Sequence, residues 1–235
     1  MLIFKEDIVL SGYTCIVPSL GVGNVSQLST DLIISTLKLK QIASGFHEAL
    51  IPMFGPSAFQ HEPKASTHAM NAYIDKEKKL LVFQIRSPLV GKHTKDFLTK
   101  FVDFLKKSQI AKVVILGSCF SFEKHDMESS PFEFVSNEQF DKIAETKIDL
   151  VKNTNDEPVF GDGWGQRFLK ICTASELPAV RFYKYSAEGD NTLDAAMLAL
   201  EVNKFVPIFD SKGPNLVRPD SWKLLFGNDA IKSMY

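Results

Sequence analysis

The stretch that most constrains this chain is one where an apolar run stops at two glycines and an amphipathic run begins. Residues 13–20 read Tyr-Thr-Cys-Ile-Val-Pro-Ser-Leu and are followed by Gly21-Val22-Gly23-Asn24. Such a run, too short for a stable helix and bounded by Pro18 and the glycines, predicts a buried strand that turns sharply. Val25, Leu28, Leu32, Ile33 and Leu37 then fall near helical spacing, which gives an apolar stripe able to lie on a sheet. Asn24 stands where that helix would start. Its side-chain oxygen is expected to accept a hydrogen bond from a first-turn amide, worth about 1 kcal/mol. A strand, a glycine turn and a packed helix make the first half of an α/β layer.

Gly21-x-Gly23 also resembles the opening of a glycine-rich phosphate loop, where the exposed amides of a helix start attract anions. The third glycine position holds Ser26, and no acidic residue closes a following strand about 20 residues on, where a ribose partner belongs. A tight structural turn accounts for the glycines without a cofactor.

At 235 residues with 45% apolar and 23% charged side chains, the chain can build one sizeable core but not two comfortable domains. Its 27 basic and 28 acidic side chains are interspersed and leave a formal net charge of -1, so nothing points to nucleic acid or an acidic membrane surface. Every apolar run is broken by charge or proline before a bilayer-spanning length. The three cysteines, Cys15, Cys119 and Cys172, are widely spaced with no Cys-x-x-Cys pair, which predicts a reducing compartment. The expected location is the cytoplasm, shared or not with the nucleus, which the sequence leaves open.

Further along, residues 42–54 predict a second strand ending in Leu50-Ile51-Pro52-Met53-Phe54, and residues 55–68 a polar loop. Residues 69–75 and 79–86 predict a hairpin around Asp75-Lys76-Glu77-Lys78. Phe97, Phe101, Phe104 and Leu105 set a helical period over 93–107, and residues 112–118 read as a central strand buried on both faces. Phe132-Glu133-Phe134-Val135 is extended, and a helix is expected over 137–150, opened by Asn137. Pro158 to Gly165 carries three glycines in five positions and predicts a turn before a helix over 166–175. Residues 179–185 give the last strand. Asp190 or Asn191 is expected to cap a helix over 192–205 that Pro207 ends.

Three places invite a chemical reading. His61 and His68 share one loop, but no third ligand of suitable spacing accompanies them. Ser118 and Cys119 end the central strand, with His125 and Asp126 beyond, a nucleophile, base and orienter in principle. Neighbours on one loop rarely align in that way, and no Gly-x-Ser-x-Gly elbow is present. Glu188, Asp190 and Asp194 offer three carboxylates to Mg²⁺, against a simpler role as turn and helix-start residues. The sequence therefore assigns no catalytic residue, cofactor or metal.

Val22-Gly23-Asn24-Val25-x-Gln27-Leu28-x-x-Asp31-Leu32-Ile33-Ile34-Ser35-Thr36-Leu37 resembles the N-terminal signature of the proteasome assembly chaperone 2 family. Two later landmarks match in the same order: Glu188-Gly189-Asp190-Asn191 with Asp194-Ala195, and Ser221-Trp222-x-Leu224-Leu225-Phe226-Gly227. The signature rests on Gly23, Asn24, Gln27, Asp31, Gly189, Asp190, Asn191 and Trp222. The resemblance implies a single α/β domain over 1–227, with a central mostly parallel sheet flanked by helices and a phosphorylase/hydrolase-like fold. It also implies a non-catalytic chaperone that pairs with proteasome assembly chaperone 1 as a heterodimer. That pair would bind proteasome α-subunits, promote 20S α-ring assembly and prevent off-pathway association, with no nucleic-acid or membrane partner. The competing class is an α/β phosphorylase- or hydrolase-type enzyme acting on a small metabolite. Trp222, Leu224, Leu225 and Phe226 either staple the C-terminal segment to the core or face a partner. Residues 228–235 have little core-forming pattern and read as a flexible tail. Its end, Met234-Tyr235, resembles the hydrophobic-Tyr-any motif with which proteasome activators and related chaperones dock between α-subunits, but the residue after the tyrosine is missing.

Overall fold

Short β-branched and aromatic runs, each bounded by turn residues, build the sheet, and the runs with helical period cover it. In chain order these are β1 (Leu2–Phe4), β2 (Thr14–Pro18), α1 (Val25–Leu37), β3 (Lys40–Gly45), β4 (Phe54–Pro56), β5 (Ser66–His68), β6 (Met70–Asp75) and β7 (Leu80–Ile85). There follow α2 (Gly91–Lys107), β8 (Lys112–Phe120), β9 (Phe132–Ser136), α3 (Glu138–Asp141), β10 (Val151–Lys152), α4 (Gly165–Ala174), β11 (Ala179–Ser186) and α5 (Thr192–Asn203). The computed structural model describes residues 2–124, 128–144, 147–153, 159–210 and 213–224.

Nine strands form one sheet in the order β1-β3-β6-β7-β2-β8-β11-β9-β10, and β4 pairs with β5 apart from it. The centre, β7-β2-β8-β11, is parallel throughout, and antiparallel strands flank it. Parallel neighbours need crossovers, and helices supply them, so both faces are covered. One face meets α1 and α5 through Ile16, Val114, Phe182, Ile33 and Leu198. The other meets α2 and α4 through Cys15, Phe83, Ile115, Phe101 and Phe168. On that second face the Phe101 ring lies 4.7 Å from Phe83 and 5.3 Å from Phe168, centroid to centroid. The regular phenylalanine spacing of α2 is thus core packing.

The hairpin between β6 and β7 forms as the sequence predicts. Asp75 Oδ1 accepts from the amides of Glu77 and Lys78, which fixes the turn. The central strand is longer than predicted and runs through Gly117 and Ser118 to Phe120, because β11 pairs with it along the whole length.

Four expectations need correction. Asn24 makes no capping hydrogen bond: Gly23 and Asn24 both take left-handed φ, 62° and 54°, and α1 is entered through a 3-10 turn over Val22–Asn24. Of residues 42–54, only 42–45 and Phe54 lie in strands, β3 and β4, and residues 50–53 form none. Pro52 has no amide to give to a ladder, Ile51 and Met53 are exposed, and Leu50 makes a single bridge to Leu89. The loop over 55–68 contains pairing, with Phe54 opposite His68 and Pro56 opposite Ser66. The helix opened by Asn137 lasts only one turn, although Asn137 Oδ1 does accept from the Phe140 amide at 2.9 Å. Phe140 is its one buried side chain, and Ile143 just beyond it is exposed.

Candidate functional site

In open α/β sheets, ligands collect at the carboxyl ends of the parallel strands. Here that end is filled by the chain itself. The loop leaving β2 and the loop entering α4 close on each other, with the Val22 amide donating to the Gly161 carbonyl at 2.9 Å. The Trp164 amide donates to Ser19 Oγ at 3.2 Å. Gly163 is at φ +65°, and a Cβ there would stand 1.8 Å from the Leu20 carbonyl oxygen, so only glycine allows this approach. The glycine cluster predicted as a turn is therefore a close backbone crossing.

Beneath the crossing lies an ion pair. Asp162 and Arg181 are buried, with Arg181 Nη1 2.7 Å from Asp162 Oδ2, which also accepts from the Gln166 amide at 3.0 Å. Burial pushes the Asp162 carboxyl up to about 6 against the opposing pull of Arg181. The Arg181 guanidinium lies over the Tyr183 ring, 4.5 Å from its centroid. Next along the strand, Glu133 accepts from Tyr183 Oη at 2.5 Å and from Tyr185 Oη at 3.2 Å.

The predicted nucleophiles are committed to the fold. Ser118 Oγ donates to the Val22 carbonyl at 2.7 Å. Cys119 is buried, and that burial pushes its thiol well above the usual range, which opposes thiolate formation. His125 and Asp126 lie outside the described residues. His61 Nε2 lies 2.9 Å from the Leu39 carbonyl oxygen, and His68 Nε2 lies 2.9 Å from Ser66 Oγ. Asp190 Oδ1 accepts from the Thr192 amide at 3.0 Å, which holds its carboxyl below the ordinary range. Asp194 pairs with Lys184 at 2.6 Å. Asn191 makes no capping bond, and its Nδ2 instead donates to the Gly189 carbonyl at 3.0 Å.

The separated signature residues converge on the α1 side. A Cβ at Gly23 would fall 2.1 Å from Asn191 Nδ2, so the first landmark sits against the second. Asp31 accepts from Gln84 Nε2 at 2.5 Å, from Arg86 Nη2 at 2.7 Å and from Trp222 Nε1 at 3.3 Å, which ties the first landmark to the third. Gln27 joins through its carbonyl oxygen, 2.9 Å from Gln84 Nε2. Trp222 thus packs back onto the core. Leu225, Phe226, Met234 and Tyr235 lie outside the described residues.

The family model described as the PAC2 family matches residues 15–207. The chain belongs to the PAC2 family. This PAC2 chain is 32% identical to "Proteasome assembly chaperone 2" of Xenopus tropicalis, over 93% of each chain. It is 30% identical to the protein of that name in Homo sapiens, over 96% of each. Its fold superposes with a TM-score of 0.71 on Pyrococcus furiosus PbaA, described as an archaeal homolog of proteasome-assembly chaperone, at 14% identity and covering 91% of this chain and 89% of that one.

Several of the residues that organise this region were missed by sequence reading. Ser19, Gln84, Arg86, Glu133, Asp162 and Arg181 form the polar interior. One signal was available: Arg181 stands inside the largely apolar strand β11, and a charge at a buried strand position requires a partner.

Proposed function

We propose that this PAC2-family chain is a non-catalytic chaperone that pairs with proteasome assembly chaperone 1 and promotes 20S α-ring assembly, holding α-subunits off unproductive contacts. The observation that carries this reading is the match, over more than nine-tenths of both chains, to relatives named proteasome assembly chaperone 2. The closed strand ends support it, since the loops leaving β2 and entering α4 fill them. The surface supports it too. Phe46 and Phe54 are both exposed, and each ring lies 5.4 Å from the His68 ring. Ile51 and Met53, between them in sequence, are exposed as well. A contiguous apolar group of this kind favours protein contact. The chain is proposed to work in the cytoplasm, and the Met234-Tyr235 end to add affinity for the α-ring.

The test is a mixing experiment at about micromolar concentration. The chain is combined with proteasome assembly chaperone 1 and α-subunits and run on native gels. Co-migration with both is the expected result, and failure to form any α-subunit complex with both chaperones present would overturn the proposal. Deleting Met234 and Tyr235 is expected to weaken α-ring binding and leave chaperone pairing intact. Phe46→Asp with Phe54→Asp in the same assay reads whether the exposed ring group contributes.

A further inference from the structure

Helix α5 is apolar on both of its sides. Ala195, Leu198, Ala199 and Val202 are fully buried against α1 and the sheet. The opposite side carries Leu193, Met197 and Leu200, spaced i, i+4 and i+7 along one stripe. Leu193 is 70% exposed and Met197 39%, with Ala196 and Leu200 half-buried beside them. A surface helix normally turns charged side chains to water, and one that is apolar all round is covered on both sides. The two carboxylates flanking the stripe are answered within the chain, Asp194 by Lys184 and Glu201 by Lys204, each at 2.6 Å. The charge that remains lies at the two ends and differs in sign. Glu188 is exposed just before the helix, where Asp190 is already met by the Thr192 amide and by the charge of Arg218. Lys204 closes the other end, its side chain 57% exposed.

A patch that is apolar in the middle, acidic at one end and basic at the other is complementary to itself turned end for end. That is the requirement of a two-fold interface, in which both subunits offer the same residues. An unrelated partner would have to bring the reverse charge order, whereas a second copy already has it. We propose that two copies of this chain pair through α5 with the helices antiparallel. Met197 then lies beside the two-fold axis, Leu193 of each copy meets Leu200 of the other, and Glu188 of each faces Lys204 of the other. Antiparallel helices also oppose their macrodipoles, which lets end charges of opposite sign lie together. One helix face is smaller than the roughly 1,200–2,000 Å² of a stable complex, so the dimer is weak, with a dissociation constant of about 10–100 μM. The proposal goes beyond the chaperone reading and does not rest on it, because it concerns the chain alone.

The test uses the full chain. Sedimentation velocity from about 5 to about 500 μM should show the mass rising from one chain to two. Met197→Cys, at about 100 μM under mild oxidation, should form a disulfide-linked dimer on a non-reducing gel. Lys107→Cys, exposed at the end of α2 on the opposite face of the sheet, should not, and the native Cys15, Cys119 and Cys172 are buried and add no crosslink. Met197→Asp should raise the dissociation constant at least about tenfold with the melting temperature unchanged, because that position faces water in the single chain. Lys204→Glu should weaken pairing several-fold, and Glu188→Lys added to it should restore it. A chain that stays monomeric throughout the range, a dimer that survives Met197→Asp, equal crosslinking of the two cysteine variants, or a charge swap that restores nothing would each overturn the proposal. So would crosslinking of Met197→Cys only to added proteasome assembly chaperone 1, which would give this face to a different partner.

Discussion

Two aspartate–arginine pairs, one against each face of the sheet, show how the same two residue types do different work. On the α1 face, Asp31 is held by Gln84, Arg86 and Trp222, and the Arg86 side chain remains 22% exposed. On the α4 face, Asp162 and Arg181 are exposed by only 3% and 1%, and Asp162 Oδ1 has no hydrogen-bond partner. The first pair is a junction of three chain segments with water within reach. The second is a sealed pair whose desolvation is incompletely offset. The contrast teaches that the number of donors around a buried carboxylate, and the access of its cation to solvent, decide what breaking the pair costs.

The largest expected effect is on the sealed pair. Asp162→Ala leaves the Arg181 guanidinium buried without its anion and should cost about 3–5 kcal/mol in urea denaturation. A smaller loss would mean that water reaches Arg181. Acidity provides the next test, because burial raises Asp162 from 3.8 to about 6. The folded chain then holds that proton more tightly than the unfolded one. Its contribution to stability is complete below about pH 3.8 and is lost as pH rises through about 6, a change of order 2–3 kcal/mol. Carboxylates held low, such as Asp141, have the opposite sign and lose stability as pH falls. The difference in melting temperature between the native chain and Asp162→Asn, followed across that window, isolates Asp162; a pH-independent difference would contradict the shift.

On the other face, Asp31→Ala should cost less, about 1–3 kcal/mol. Gln84 Nε2 retains the Gln27 carbonyl, and Arg86 can turn to water. An equal loss at Asp31 and Asp162 would erase the distinction between the pairs. Trp222→Phe, which removes the Nε1 donor with its five-membered ring but keeps a benzene-sized body at this half-buried position, should have the smallest effect, about 0.5–1.5 kcal/mol by the same denaturation assay.

The apolar architecture was legible in the sequence because it is written in local periodicity. The helical spacing of Phe97 and Phe101 and the apolar run of β8 each identify a buried face within a dozen residues. The polar interior was not, since Asp162 meets Arg181 across 19 positions, Asp31 meets Trp222 across 191, and neither separation follows a short period. Asn24 misled for a related reason. Its residue type fits a helix cap, but the left-handed backbone inherited from the glycine turn overrode that local preference. The signature residues Gly23 and Asn191 were visible as matches to a family, while their contact became visible only when α5 packed against α1.

The Asp31–Trp222 contact also sets a schedule. A nascent chain emerges at roughly 5–20 residues per second, so the first helix leaves the ribosome well before its last hydrogen-bond donor exists. Until residue 222 is free, the carboxylate on α1 must rely on β7 alone. A chain that stalls or is clipped just short of that tryptophan should therefore carry a slackened first helix, damage that surfaces far from the break.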